Sequence, residues 1–327
     1  MRKLIPIFLL LLSSFFNQIS LAGPETTIND YQAIFTPGYD QQGHLKIAIR
    51  QYMQNHQAYF LVVDPYTLAT QVIDRNALTV GSTSNGKSTG SLPELVRSTP
   101  YVKALYRYTS PPYPLANAGL TAAPNPENGK FLTIDMCPSK KPFEEKFFKD
   151  LVALSTKNKQ PVPIALSMSG LWIIRHQQEF DWLIQQAKAN KLQITWINHS
   201  YTHSYNPKAP LNQNFMLTPG TNVDYEILET EKLLLAHNQV PSVFFRFPGL
   251  IADEKLILDL RKFSLIPVGS NAWLAKGEKS QAGSIILVHG NSNEHQGIEL
   301  VTPLLNDPNL HLLPLSQCLG TPTPENK

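Results

Sequence analysis

The feature that most constrains this chain is a regular alternation of short apolar runs with amphipathic stretches, beginning after Gly129. Lys130 to Asp135 reads as a strand, and Phe143, Phe147, Leu151 and Leu154 then fall on one face at helical spacing. Val162 to Met168 gives a second strand, followed by a helix carrying Phe180, Leu183, Ile184 and Ala187. Leu192 to Ile197 is a third strand, and Ile227, Leu228, Leu234 and Leu235 mark the next helix. Ser242 to Phe245, Leu265 to Val268 and Ser284 to Val288 continue the strands, with a helix from about Ala252 to Lys262. Repeated strand–helix units imply a parallel sheet, because each crossover helix returns the chain to the end where the previous strand began. The expected fold class is therefore α/β, a distorted (β/α) barrel of about seven parallel strands. In such folds the chemistry sits where the strands end.

Four predicted organisational units precede, contain or follow that pattern. Met1-Arg2-Lys3, an apolar run from Leu4 to about Phe16 and Ser20-Leu21-Ala22 are the parts of a secretory signal peptide, so residues 1–22 are expected to be removed after Ala22. No cysteine follows the run to carry a lipid, and no later stretch is apolar enough to span a bilayer, so no stable membrane anchor is expected after cleavage. The localisation read from this is periplasmic or secreted. Residues 23–128 form a smaller β-rich region of unassigned role, with strand-like runs from His44 to Arg50 and Ala58 to Val63. Within it, Gly81 to Gly90 is a flexible loop by composition, and a phosphate-binding reading of Gly86-Lys87-Ser88 is set aside because a secreted protein meets little nucleotide. Residues 129–318 are the barrel, and 319–327 a flexible tail.

Composition narrows the class further. With 42% hydrophobic and 16% charged residues, a disordered chain is excluded, and 26 prolines argue against a coiled coil or helical solenoid. The formal net charge of +3 comes with no basic stripe, so nucleic acid is not an expected partner. Two cysteines, Cys137 and Cys318, could form a single disulfide outside the cytoplasm. Cys137 as a metal ligand or nucleophile is the rival reading.

Unusual residues close four strands: Asp135, the pair His199 and His203, Arg246, and His289. In a parallel barrel these ends share one rim. Two histidines four apart fall on one side of a helical turn and suit two nitrogen ligands of one metal ion, although surface histidines share that spacing. Asn198-His199-Ser200 also matches the glycosylation sequon, a common accidental match. Asp135 closes an apolar strand, where a carboxylate is costly unless paired, bound to metal or used as a base. Arg246 needs a carboxylate partner, and Asp135 is the natural candidate. Trp172, Trp182 and Trp196 lie in helical or strand patterns and read as core.

In their order along the chain these residues resemble the motifs of the polysaccharide deacetylase family of carbohydrate esterases, the NodB homology domain, over residues 129–318. Thr133-Ile134-Asp135 is similar to the first motif, whose leading aspartate is the general base, and His199-Ser200-Tyr201-Thr202-His203 to the second, whose histidines bind metal. Arg246-Phe247-Pro248 resembles the third, where the arginine orients the base. Trp273 resembles the groove tryptophan of the fourth, and Leu287-Val288-His289 the fifth, which supplies the general acid. The resemblance implies Asp135, Arg246 and His289 as catalytic residues and His199 and His203 as ligands of a divalent metal, zinc first, with cobalt or nickel as alternatives. Trp273, Tyr201, Pro248 and Leu287 would then line the substrate groove. The implied activity is removal of N-acetyl groups from the amino sugars of a polysaccharide or peptidoglycan, with an N-acetylated glycan as partner.

The chain also departs from the family at three positions. Met136 stands where the third metal ligand, a second aspartate, is expected, and a thioether is a poor zinc ligand. Either two histidines hold the ion with water, or Asp135 moves from base to ligand. Gly249 stands where an aromatic residue usually follows the third motif, which would open the groove. The acidic residue expected just before Trp273 is missing, which would leave His289 less firmly oriented. These departures keep two alternatives open: a glycan-binding relative without catalysis, and a metal-dependent deacylase of a different amide or ester.

Overall fold

The computed structural model describes residues 27–80, 92–125 and 129–320. The predicted leader, the Gly81–Gly90 loop and residues 321–327 of the predicted tail lie outside the described residues. Five antiparallel strands come first: β1 (Ile28–Tyr39), β2 (Leu45–Gln54), β3 (Gln57–Val63), β4 (Thr70–Asp74) and β5 (Thr79–Val80), in the order β4-β3-β2-β1-β5. Asn55 and His56 join β2 to β3, both at positive φ, the backbone that a two-residue hairpin of matching twist requires. Two short helices follow, α1 (Leu92–Ser98) and α2 (Pro100–Tyr108), with the Thr99 side chain capping the second.

The alternating region then runs β6 (Phe131–Met136), α3 (Glu145–Asn158), β7 (Val162–Met168), α4 (Gly170–Arg175), α5 (Gln177–Lys188), β8 (Leu192–Asn198) and α6 (Val223–Ala236). It continues with β9 (Phe244–Phe245), α7 (Glu254–Lys262), β10 (Ile266–Pro267), β11 (Ala272–Trp273), β12 (Ile285–His289) and α8 (His295–Leu305). The strand order is β10-β9-β8-β7-β6-β12-β11, and every neighbouring pair is parallel. Seven parallel strands in a distorted barrel are the fold the alternation predicts. Strands β9 and β10 are shorter than the apolar runs suggest, and Pro267, which has no N–H to donate, closes β10.

Side-chain alternation along β6 decides what each residue faces. Leu132, Ile134 and Met136 point to the helices and share a core with Phe147, Phe148, Leu151 and Trp172. Burying each such side chain contributes about 1.5–3 kcal/mol. Trp196 belongs to the same core and Trp182 packs against it. Phe131, on the other face, joins Ile285 and Val243 in a second core that also takes Ile47, Ile49, Leu61 and Val63 from the first sheet. The antiparallel sheet therefore covers the end where the parallel strands start, opposite the ends that carry Asp135 and His289.

One buried ion pair fastens the two sheets together. Arg50 of β2 donates from Nε (2.7 Å) and Nη2 (2.9 Å) to the Glu231 carboxylate of α6, and Nη1 donates to the Ile49 and Phe263 carbonyls, both at 2.7 Å. Tyr31 donates its hydroxyl to the same carboxylate at 2.8 Å. Such a pair is tolerable in a core only when its donors and acceptors are used in this way.

The second core also corrects the disulfide expectation. Cys318 packs there beside Leu315 and Leu120, whereas Cys137 follows the far end of β6, and both thiols are free. A strand rises about 3.3 Å per residue, so the length of β6 holds them far beyond the roughly 7 Å between Cα atoms that a disulfide can bridge.

Candidate active site

Register brings the first two site residues together. Asp135 of β6 and His289 of β12 are direct partners in a parallel pair, on the face turned away from the helices. Arg246 follows β9, and its amide donates to the Asn198 carbonyl at 2.9 Å, which carries the guanidinium across beneath the rim. Its Nη1 donates to Asp135 Oδ1 at 2.8 Å and to Thr133 Oγ1 at 2.7 Å, and Nη2 donates to the Gly269 carbonyl at 2.9 Å. Burial opposes charge on Asp135, but Arg246 and the imidazoles of His199 and His289 outweigh it and hold the pKa at about 2. Asp135 is thus an ionised base with one oxygen tied to Arg246.

The two histidines of the second motif lie in a loop after β8, not on the helical turn that their spacing suggested. Ser200 and His203 take left-handed backbone angles, φ 65° and 47°, and the ring centroids of His199 and His203 stand 4.7 Å apart. Glu226 of α6 holds this loop by accepting from the Tyr201 and Thr202 amides, both at 2.9 Å, and from the Thr202 hydroxyl at 2.6 Å. His199 Nδ1 lies 2.7 Å from the Arg246 carbonyl, which can only accept, so Nδ1 carries the proton and Nε2 presents a lone pair to the site. The His203 Nε2 atom is buried and has no hydrogen-bond partner among the described residues. Asn198 is fully buried and donates to the Ile227 carbonyl, so the sequon match is accidental.

Sequence reasoning undervalued Cys137, which enters this cluster with Sγ 3.7 Å from His199 Nε2. Burial alone would raise its pKa, but the imidazoles of His203 and His289 and the contact with His199 hold it well below the ordinary thiol range. Conversely, burial would lower the His289 pKa, and the Cys137, Glu294 and Asp135 charges lift it well above the usual imidazole value.

Glu294 was also missed, because it lies five residues past His289, outside any motif. Its Oε2 sits 3.0 Å from His289 Nδ1 and accepts from Trp273 Nε1 at 2.6 Å. Glu294 thus stands within ion-pair reach of the histidine while bonded to the tryptophan. Replacing Glu294 by glutamine is expected to lower turnover roughly 10- to 100-fold, as loss of a supporting partner does, with KM, metal content and melting temperature close to wild type. Steady-state kinetics beside a metal assay checks this, and unchanged turnover would remove Glu294 from the machinery.

These groups open on a cavity of about 400 Å³. Trp273 forms one wall; Tyr205 and Phe215, stacked at 5.2 Å, form another. Gly249 does not widen the groove as expected, because the Phe215 ring fills the space beside it: a Cβ at Gly249 would stand 2.5 Å from that ring. Tyr201, Pro248 and Leu287 are not among the lining residues. Tyr201 packs over Gly170 and against Tyr225, Pro248 is buried, and Leu287 is fully buried two residues below His289 on the same strand.

The donor set suits a divalent ion. Cys137 Sγ and one ring nitrogen each of His199 and His203 lie within 4.8 Å of one another. The lone pair aimed inward by His199 and the unpartnered Nε2 of His203 are what a metal site requires of its imidazoles.

A family model described as the RP012 protein N-terminal domain matches residues 29–102. Among solved structures, the chain is similar to a family 4 carbohydrate-esterase pseudoenzyme from Bacillus anthracis at 17% identity and a TM-score of 0.41, over 59% of this chain and 66% of that one, just under two thirds of its length. It is similar to a family 4 carbohydrate esterase from the same organism at 16% identity and a TM-score of 0.45, over 63% and 89% of the two chains. A chitin deacetylase from Colletotrichum lindemuthianum matches at 16% identity and a TM-score of 0.45, over 64% and 95%. In the order of its motifs the chain resembles the polysaccharide deacetylases among the carbohydrate esterases.

Proposed function

We propose that this protein is a metal-dependent hydrolase that removes N-acetyl groups from the amino sugars of a polysaccharide or peptidoglycan, in the periplasm or outside the cell. The observation that carries the reading is the placement of an ionised Asp135 and a Glu294-paired His289 on adjacent strands over one cavity, with two imidazole donors beside them. His199 and His203 would hold the ion, zinc before cobalt or nickel. Bound there, it would supply positive charge beside the acyl oxygen and offset the charge that develops when the carbonyl is attacked.

The chain's own residues account for the proton transfers. Asp135 keeps Oδ2 free of Arg246 and takes the proton of the attacking water through it. Arg246 fixes the carboxylate and keeps it ionised. His289, charged beside Glu294, gives a proton to the leaving amine nitrogen so that a neutral amine departs. Trp273 on one side and the Tyr205–Phe215 pair on the other offer apolar faces to sugar rings in the cavity.

Chelation of the purified protein is expected to reduce acetate release from N-acetylglucosamine oligomers by about 100-fold or more, with recovery on adding zinc, cobalt or nickel. Release that ignores chelator would overturn the reading. A second reading, saccharide binding without hydrolysis, is favoured by Met136 at the position of an expected ligand. It predicts oligomer binding with no acetate released under any of the three metals.

A further inference from the structure

We propose that Cys137 supplies the third protein ligand of the metal centre, so that one sulfur and two imidazoles hold the ion while Asp135 remains free as the base. This rests on the metal-dependent reading above and deepens it by naming the donor set and the class of ion.

The geometry separates the two residues that follow Asp135. Met136 is fully buried with its side chain among Ile134, Phe148 and the helices, and its Sδ atom sits so close to Gly290 that a Cβ there would stand 2.6 Å from it. It lines no part of the cavity. Cys137 ends the strand alternation and turns back toward the rim, where it lines the cavity beside His199 and His203. Its backbone is held in that turn from both sides: Asn291 donates to the Cys137 carbonyl, and Ser169 donates from Oγ to the Met136 carbonyl at 2.8 Å. The sulfur thus occupies a fixed place rather than the end of a mobile loop.

Asp135 is the competing third ligand, and the structure assigns it elsewhere. Arg246, itself bonded to Thr133 Oγ1, organises its Oδ1, and Oδ2 lies 3.8 Å from His199 Nε2. Recruiting it as a ligand would consume the group that accepts the water's proton. A thiolate carries the same charge as the carboxylate it replaces, so the donor set keeps one negative charge against a divalent ion. What changes is softness, which shifts preference toward zinc and cobalt and away from magnesium, calcium and manganese. Three protein donors leave a further position open to the cavity, as catalytic zinc sites do.

Cobalt tests this directly, because a thiolate ligand adds a sulfur-to-cobalt charge-transfer band in the near ultraviolet that imidazole and carboxylate ligands lack. The full chain loaded with one equivalent of cobalt is expected to show the band. Cys137→Ser is expected to lose it and to bind cobalt roughly 100-fold more weakly or worse, at or beyond the upper end of what loss of a supporting group costs. His199→Ala serves as the reference for losing one ligand. One cobalt per chain without the band, and with equal affinity in Cys137→Ser, would overturn the proposal while leaving the metal-dependent function standing. No cobalt or zinc bound by the wild-type chain would overturn both.

A measurement on the wild type alone guards against misfolding of the variant. Zinc is expected to slow iodoacetamide alkylation of Cys137 at least about tenfold, read by mass spectrometry, with buried Cys318 as the internal control. Zinc bound with Cys137 alkylated at an unchanged rate would also overturn the proposal. Met136→Asp is expected not to raise metal affinity in the Cys137→Ser background, because residue 136 faces the helix core; restored affinity would show that residue 136 reaches the ion.

Discussion

Replacing His289 by alanine is expected to slow acetate release from N-acetylglucosamine oligomers by about 10²- to 10⁴-fold, the usual contribution of a positioned proton donor. Metal content and melting temperature should stay near wild type, because His289 is outside the donor set and Glu294 keeps its bond to Trp273. The loss should fall in kcat, since the proton is needed as the carbon–nitrogen bond breaks and not when the sugar docks. Added imidazole should restore part of the rate by entering the space left beside Glu294. Release within about threefold of wild type would assign proton donation to another group.

The second large effect concerns stability. Arg246→Met is expected to cost about 3–5 kcal/mol, because it leaves the buried Asp135 carboxylate without its cation. The same change removes donors from Thr133 and from the Gly269 carbonyl, so activity should be lost as well. Pairing it with Asp135→Asn removes the stranded charge, and the double variant should recover a large part of the stability while remaining inactive. Urea denaturation of the two single variants and the double variant measures the coupling. Equal and additive losses would mean that the pair contributes nothing as a pair.

Each of the three departures from the family pattern, a loss when read along the chain, has a side chain from outside the motif position standing beside it. The absent aromatic after Pro248 is replaced by Phe215, whose ring fits only because residue 249 has no side chain. The absent acid before Trp273 is replaced by Glu294, which arrives from the turn between β12 and α8. The position of the absent aspartate is taken up by a core methionine, and Cys137 brings a donor to the rim in its place. No spacing rule links Phe215 and Glu294 to what they replace, since each comes from a different loop, whereas Cys137 is the next residue after Met136 and only its direction separates the two. Conversely, Tyr201 and Pro248 sit next to motif residues in sequence and yet turn away from the cavity, while Leu287 shares the strand face of His289 but lies buried below the rim.

By itself the sequence determined the strand–helix alternation, the parallel sheet and the gathering of Asp135, Arg246, His289 and the two histidines at one rim. Those follow from periodicity, which is local, and from the rule that parallel strands end together. Only the tertiary structure decided that the histidine loop is not helical, that the cysteines stay apart and that Cys137 faces the site while Met136 does not. These are settled by contacts between segments distant in the chain: Glu226 on the loop, Gly290 against Met136, and the length of β6 between the thiols. Such contacts depend on which loops the fold brings side by side, and that information is held in packing rather than in any residue's neighbours along the sequence.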